Sequence, residues 1–485
     1  MSNKIVSSFI WKFLESGGIG AIMFVVSLIL ARLLAPEDYG LLALAMVIIA
    51  LAGVLGQGGL KNALVQKKDS STVDFSTIFW ISLMFSAVFY AVLFFAAPMF
   101  AKFYENEKLI LVMRVLGLSL FFGAFSSVQD AYIQKHFLFK KLFFRSMAVA
   151  IPSGILGITL AYLGFGIWAL VWQQLTTVFL SCVFMLFMVP WRPTLEFSVK
   201  SAKKLFNYGY KLQLSWILDI GYNNLITLLI GKVFSPAVLG FYNKGRNFPD
   251  FIVSNVNQSI NAVLFPALAD VQDDIERFKQ RTRTSIKCSC FIIFPLMALL
   301  ASSAAPTVKF LLGEKWLPCV IFLQISCFIF ALWPLSMTNL TAINSLGRSD
   351  IFLKLEIIKK VIGVTALTIA LYQFRTPAAV VIGCAITGLV DMFIDTFPNK
   401  KLLNYGFGEQ VMDIAPSFIL AFVCGFAVYP ITHLEIPSFA MIAMQVPTGL
   451  ALYMFLAKTF KMESYQYMFS MLKDKFVNRK LVQPA

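Results

Sequence analysis

Long uncharged apolar stretches recur along this chain from one end to the other, separated by short polar connections. A helix needs about 20 predominantly apolar residues to cross a bilayer. Window hydropathy picks out about fourteen such spans: 8–34, 40–62, 75–100, 109–134, 142–163, 166–189, 206–233, 237–267, 285–312, 317–345, 352–373, 377–401, 412–431 and 437–458. The chain is 59% hydrophobic and 14% charged, whereas a soluble domain carries about a quarter charged residues. That leaves too little polar surface to cover a water-soluble globule, so lipid must be the solvent for much of it. The expected fold is all-α and polytopic. The first segment, with one cation at Lys4 and no small-residue cleavage site, reads as a retained span rather than a cleaved leader.

The connecting charges orient the spans. With a cytoplasmic N-terminus, the even-numbered connections hold Lys61, Lys67 and Lys68; Lys135, Lys140, Lys141 and Arg145; Arg192, Lys200, Lys203 and Lys204; Arg277 to Lys287; Arg348 and Lys354; and Lys400 and Lys401. The tail adds Lys461, Lys473, Lys475, Arg479 and Lys480. The odd-numbered connections are much poorer, with Arg32, Lys102, Lys108, Lys232, Lys309, Lys315 and Arg375. This is the asymmetry that loop Lys and Arg impose on orientation, and it puts both termini in the cytoplasm. It also accounts for the net charge of +16 without nucleic acid as a partner. The seven cysteines lie mostly within apolar stretches and read as small packing residues. No cofactor or metal is expected.

The chain repeats itself. Ala31-Arg-Leu-Leu-Ala-Pro-Glu-Asp-Tyr-Gly40 is echoed by Gly231-Lys-Val-Phe-Ser-Pro-Ala-Val-Leu-Gly240, and the segment from Pro98 to Lys108 by that from Pro306 to Lys315. About six spans separate the copies, so they share orientation; transporters built this way hold substrate between two halves and rock one against the other. The expected organisation is two pseudo-symmetric six-helix lobes plus two C-terminal helices. An N-lobe covers 1–190, a cytoplasmic linker 191–205, a C-lobe 206–403, spans thirteen and fourteen 404–460, and a basic cytoplasmic tail 461–485. Arg32, Pro36, Gly40, Pro236 and Gly240 read as turn architecture, with proline fixing φ and glycine tolerating positive φ.

Charges at a helix centre cost about 2.5–3.5 kcal/mol each on insertion scales, so those within spans are informative. They are Arg114, Asp130, Lys211, Asp219, Lys244, Arg246, Asp391 and Asp395, with Lys12 and Glu15 early in the first span. Lys244 and Arg246 lie about 200° apart on a helix, so at least one faces protein or a cavity. Lys211, Asp219, Tyr222 and Asn223 fall on one broad face. Asp391 and Asp395 share a face at i, i+4. They fit either a proton or Na⁺ site or a solvated span end, since Phe397-Pro398-Asn399-Lys400 follows.

Arg32-Leu-Leu-Ala-Pro-Glu-Asp-Tyr-Gly40, Leu264 to Glu276 and Gly313-Glu-Lys-Trp316 resemble motifs of the Wzx-type polysaccharide transporters. That family shares a superfamily with multidrug exporters and peptidoglycan lipid flippases. The likeness covers most of 5–460 and is strongest to the colanic-acid-exporter-like branch. It implies translocation of a polyprenyl-diphosphate-linked oligosaccharide across the bacterial inner membrane, for surface polysaccharide assembly. For such a substrate, Arg114, Lys244 and Arg246 are head-group ligand candidates, with Lys211 on the same cavity; the alternative is that these charges pair with Asp130, Asp219, Asp391 or Asp395 as structural intramembrane ion pairs. Tyr222, Asn223 and Asn224 are sugar-facing candidates. Asp219, Asp391 and Asp395 are ion-coupling candidates, for H⁺ or Na⁺. Membrane lipids and other polysaccharide assembly proteins are the remaining expected partners.

Competing readings remain. The same architecture could serve a cation-coupled drug antiporter, whose cavity should be apolar with one or two carboxylates. A membrane enzyme of polysaccharide assembly, a ligase or polymerase, would need a catalytic constellation in a sizeable loop. No such grouping stands in a loop here, so a non-enzymatic role is expected. Asp270 to Lys287 and the tail after Lys458 read as membrane-surface helices.

Overall fold

The computed structural model describes residues 15–55, 59–67, 70–136, 138–374 and 376–470; some side chains within its helices, those of Lys211 and Asp219 among them, lie outside the described part. Lys12, Lys68, Arg375, Lys473, Lys475, Arg479 and Lys480 also fall outside the described residues.

The described residues hold helices and no strands. Contacts divide the chain into two compact units, 1–243 and 244–485. The first contains α1 (Gly20–Leu33), α2 (Pro36–Gly53), α3 (Gly59–Gln66), α4 (Thr72–Phe103), α5 (Lys108–Gly117), α6 (Ser119–Lys135), α7 (Phe139–Tyr162), α8 (Ile167–Met188) and α9 (Val199–Val233). The helix α10 (Pro236–Ala269) starts in the first unit and runs on into the second. There it is followed by α11 (Ile275–Ser302), α12 (Ala304–Leu311), α13 (Val320–Ser345), α14 (Ser349–Phe374), α15 (Pro377–Leu403), α16 (Phe407–Val428) and α17 (Ser438–Thr459).

Ten helical segments among the described residues are long and apolar enough to cross a membrane, which makes the chain an all-α polytopic membrane protein. The other four expected spans correspond to the shorter apolar Gly17–Leu33 and to α9, α10 and α14. Those last three are 35, 34 and 26 residues long. Lys211 and Asp219 fall on α9, Lys244, Arg246 and Asp250 on α10, and Glu356, Lys359 and Lys360 on α14. Two of these helices, α9 and α10, thus carry most of the candidate residues.

Local sequence sets the helix starts. Asp74 accepts the Ser71 amide at 2.8 Å while the Ser71 hydroxyl accepts the Asp74 amide at 3.3 Å, a reciprocal cap on α4. Asp274 caps α11 and Thr376 caps α15, the latter with Pro377 in its first turn. Because Asp274 starts a helix that continues to Ser302, the stretch from Asp270 is no separate surface helix. Its basic residues form the first turns of a span.

In the first unit, Phe75, Phe79, Trp191 and Met185 form a buried core with Val128 and Ala131 of α6. The expected linker is strapped to α4. The Trp80 indole donates to the Thr194 carbonyl at 2.8 Å, and the Ser198 amide donates to the Thr77 hydroxyl at 3.1 Å. The helix α9, expected in the C-lobe, packs on α2, α3 and α4. Its Gln213 amide caps the Val54 carbonyl at 3.1 Å and also reaches Leu55 O beyond the end of α2. The division by contacts thus falls about one helix later than the division by repeat.

In the second unit, a buried amide cluster joins three helices. The Asn339 side chain of α13 donates to Gln410 Oε1 of α16 at 2.8 Å and accepts from Asn399 of α15 at 2.6 Å. Buried hydrogen bonds of this kind fix register between helices.

Candidate functional site

The first-turn repeat is a physical contact. A methyl group built on Gly40 would run into the Pro236 carbonyl, and one built on Gly240 would run into the Pro36 carbonyl. The two copies meet reciprocally, backbone against backbone. Neither glycine has positive φ, so close approach and not turn conformation is what demands them. Pro36 occupies the first position of α2, where its missing N–H is not needed. Asp38 accepts the Ala35 amide at 3.3 Å. Arg32 is exposed, and its counterpart Lys232 donates to the Phe103 carbonyl at 2.6 Å and pairs with Glu105 at 3.1 Å.

Arg114 lies on α5, whose Leu109, Val112, Met113 and Leu116 are buried. Its Nε donates to the Phe94 carbonyl of α4 at 3.2 Å, and its guanidinium carbon sits 4.0 Å from the centre of the Phe94 ring. Pro98 has no amide hydrogen, so it cannot make the helical bond to the carbonyl four residues before it, which is Phe94 O. Arg114 supplies that missing donor. Asp130, which could have been its structural partner, instead pairs with Arg145 at 3.0 Å and Lys61 at 3.5 Å.

On α9, Tyr222 and Asn224 are half-buried and Asn223 is exposed; the Asn224 amide is turned back onto the Ile220 carbonyl at 2.9 Å. The side chains of Lys211 and Asp219 lie outside the described part.

On α10, Lys244 is buried, with the Cys319 thiol in its electrostatic field. Gly245 beside it lets the helix backbone close on Cys319 and Leu323, where an added methyl would come within 2.9 Å of the Cys319 carbonyl. Arg246 is half-buried, with its guanidinium 5.8 Å from the centre of the Phe330 ring of α13 and acting on Cys384 of α15. The two cations thus take different surroundings, as their angular separation required.

Asp391 and Asp395 are not a solvated span end. Asp395 is fully buried and meets Lys359 Nζ at 3.0 Å; Lys359 also holds Glu356 at 2.6 Å. Asp391 lies in the field of Lys359 and Asp395, with its Oδ1 buried and without a hydrogen-bond donor among the described residues. Three carboxyls therefore gather about Lys359. Sequence reasoning missed Glu356 and Lys359, although their i, i+3 spacing inside an apolar run was a usable signal. The connecting charges behave differently. Arg348 grips Asp350 through two 3.0 Å bonds and holds its carboxyl down at about 2.

Among the described residues, ten helices apolar enough to cross a membrane, with cations and carboxylates set within the helices, define a multi-pass membrane protein. A family described as "Polysaccharide biosynthesis protein" matches residues 29–321, and the chain belongs to it. The lipopolysaccharide biosynthesis protein WzxC of Escherichia coli (strain K12) is 23% identical over 429 residues, covering 87% of this chain and 86% of its own length. Among solved structures, the lipid II flippase MurJ in an inward closed conformation superimposes with a TM-score of 0.72 at 15% identity, covering 94% of this chain and 98% of its own. An inward-facing multidrug resistance MATE transporter of the MOP superfamily reaches 0.59 at 19% identity, covering 82% and 95%. The fold is thus shared by chains with different cargo.

Proposed function

We propose that this protein flips a polyprenyl-diphosphate-linked oligosaccharide from the cytoplasmic to the outer leaflet of the bacterial inner membrane, for surface polysaccharide synthesis. Both termini are cytoplasmic, and the six-helix lobes, 1–190 and 206–403, alternate access. The observation that carries this reading is a pair of cations, Lys244 and Arg246, set in a membrane helix of a polysaccharide biosynthesis family member. Fixed positive charge in a low-dielectric interior favours an anionic cargo, and a diphosphate offers oxygens that arginine binds through two donors and lysine attracts as a point charge. Arg114 and Lys211 are further head-group ligands; Tyr222, Asn223 and Asn224 face sugars.

Moving a dianionic head group out of an inside-negative cell is favoured by about 2.3 kcal/mol per charge per 100 mV. The return of an empty, positively charged cavity is the step opposed by the potential. The carboxyl group around Lys359, with Asp391 and Asp395, and Asp219 on α9 are the places where H⁺ or Na⁺ would compensate it. Deleting the gene and analysing the inner membrane tests the assignment. A lipid-linked glycan should accumulate on the cytoplasmic leaflet. Intact surface polysaccharide, no accumulated glycan and new sensitivity to cationic dyes would point to drug export instead.

A further inference from the structure

Three prolines among the described helices leave a backbone carbonyl that a distant side chain fills. Tyr453 donates its hydroxyl to Phe291 O at 3.2 Å, the carbonyl that Pro295 leaves without its amide. Thr432 does the same at 3.4 Å for Ser302 O, four residues before Pro306. Arg114 does it for Phe94 O, four residues before Pro98. Two of the three caps are neutral hydroxyls, which satisfy a carbonyl without bringing a charge into the membrane interior. Pro98 and Pro306 occupy matching places in the internal repeat, so the comparison is between two copies of one feature. A guanidinium is a costly choice where a hydroxyl suffices. Its extra donors and its charge need another use.

From this contrast we infer that Pro98 and Phe94 are positioning residues for Arg114: the proline-vacated carbonyl and the aromatic ring fix the guanidinium so that its terminal amino groups are presented to the diphosphate of the cargo. The inference rests on the flippase reading above. The carbonyl commits Nε and the ring occupies one face of the guanidinium plane, 4.0 Å from its carbon. The two terminal nitrogens keep the fork geometry that meets two phosphate oxygens at once. Preorganisation of this kind raises affinity by removing rotamer freedom before the ligand arrives. An alanine at position 98 would restore the α4 hydrogen bond and take the carbonyl away from Arg114, leaving every charge in place.

The test is binding of undecaprenyl diphosphate and of uncharged undecaprenol to the purified full chain in detergent, by native mass spectrometry, with melting temperatures measured in parallel. Wild type should bind the diphosphate. Pro98→Ala and Arg114→Lys should each weaken it by about tenfold or more, the worth of one charge-assisted hydrogen bond, and the double variant should be no weaker than either. Undecaprenol binding should not change. Phe94→Leu, which leaves the backbone intact, should weaken the diphosphate in the same direction. Pro295→Ala, whose carbonyl has a neutral cap, should move the melting temperature but not the affinity. Wild-type diphosphate affinity in Pro98→Ala and Phe94→Leu, with Arg114→Lys impaired, overturns the positioning role. Wild-type affinity in all three overturns Arg114 as a ligand. A wild-type chain that does not bind the diphosphate overturns the flippase reading and this inference with it.

Discussion

In the first unit one carboxylate, Asp130, is shared by two cations, Lys61 and Arg145, and about a quarter of its side chain is exposed. Around Lys359 of the second unit the ratio is inverted: Glu356, Asp391 and Asp395 gather about one lysine, and Asp395 is wholly buried. Ion pairs in partly wet surroundings contribute up to about 1 kcal/mol, because water screens them and two long side chains must be ordered. Breaking a buried pair costs about 3–5 kcal/mol, since the remaining partner is left charged and unsolvated. The same residue types therefore do different things at the two clusters. At Asp130 one acid is held by two cations, and at Lys359 one lysine holds several acids.

The largest effect should follow from removing that lysine. Lys359→Met should lower unfolding stability by about 3–5 kcal/mol in denaturant titrations of the purified protein, and adding Asp395→Leu should recover much of the loss. A loss below about 1 kcal/mol would break the contrast, because Lys359 would then be as weakly engaged as a surface cation. Next come the reciprocal glycines, where the first unit has its own strict constraint, steric and not ionic. Gly40→Ala and Gly240→Ala should each cost about 3 kcal/mol, the upper end for overpacking, because the obstacle is a backbone carbonyl that cannot rotate away. The two losses should be similar, and the double variant should lose less than their sum, since one methyl already separates the pair. Clearly unequal losses would mean that the two copies do not meet as equals. Asp130→Asn should change stability by less than about 1 kcal/mol, with an effect that fades as salt is raised. A salt-independent loss as large as that of Lys359→Met would erase the difference between the two clusters.

Much of this was legible beforehand, for reasons that differ by residue. The spans were readable because lipid demands uninterrupted apolar length, and the repeat because Pro36 and Gly40 recur as Pro236 and Gly240. Their mutual contact was not readable: a glycine that permits positive φ and one that permits close approach look alike in a sequence. Arg114 stood out as an intramembrane cation, but its tie to Phe94 depends on a proline sixteen residues away on another helix. Lys359 was hidden by a boundary, since a span drawn from residue 352 makes Lys354 its polar edge and draws attention from the charges that follow. Tyr453, Thr432, Asn339 and Gln410 gave no signal, because neutral polar residues are common in membrane helices and only the fold says which carbonyl or amide they meet.

The smallest expected effect separates the two kinds of glycine within one helix. Gly53, at the end of α2, has only Leu120 Cδ2 at 3.8 Å from where a methyl would sit, an ordinary packing distance. With no clash and a helical backbone, Gly53→Ala should stabilise the protein by about 0.5–1 kcal/mol, by removing freedom from the unfolded chain. It shares α2 with Gly40, so an opposite sign at position 40 cannot come from α2 rejecting added volume throughout. If Gly53→Ala and Gly40→Ala both destabilised to the same degree, α2 would be intolerant of added volume in general, and the reciprocal contact with Pro236 would lose its special standing. A gain at 53 beside a loss at 40 would assign the constraint to the place where the two copies of the repeat touch.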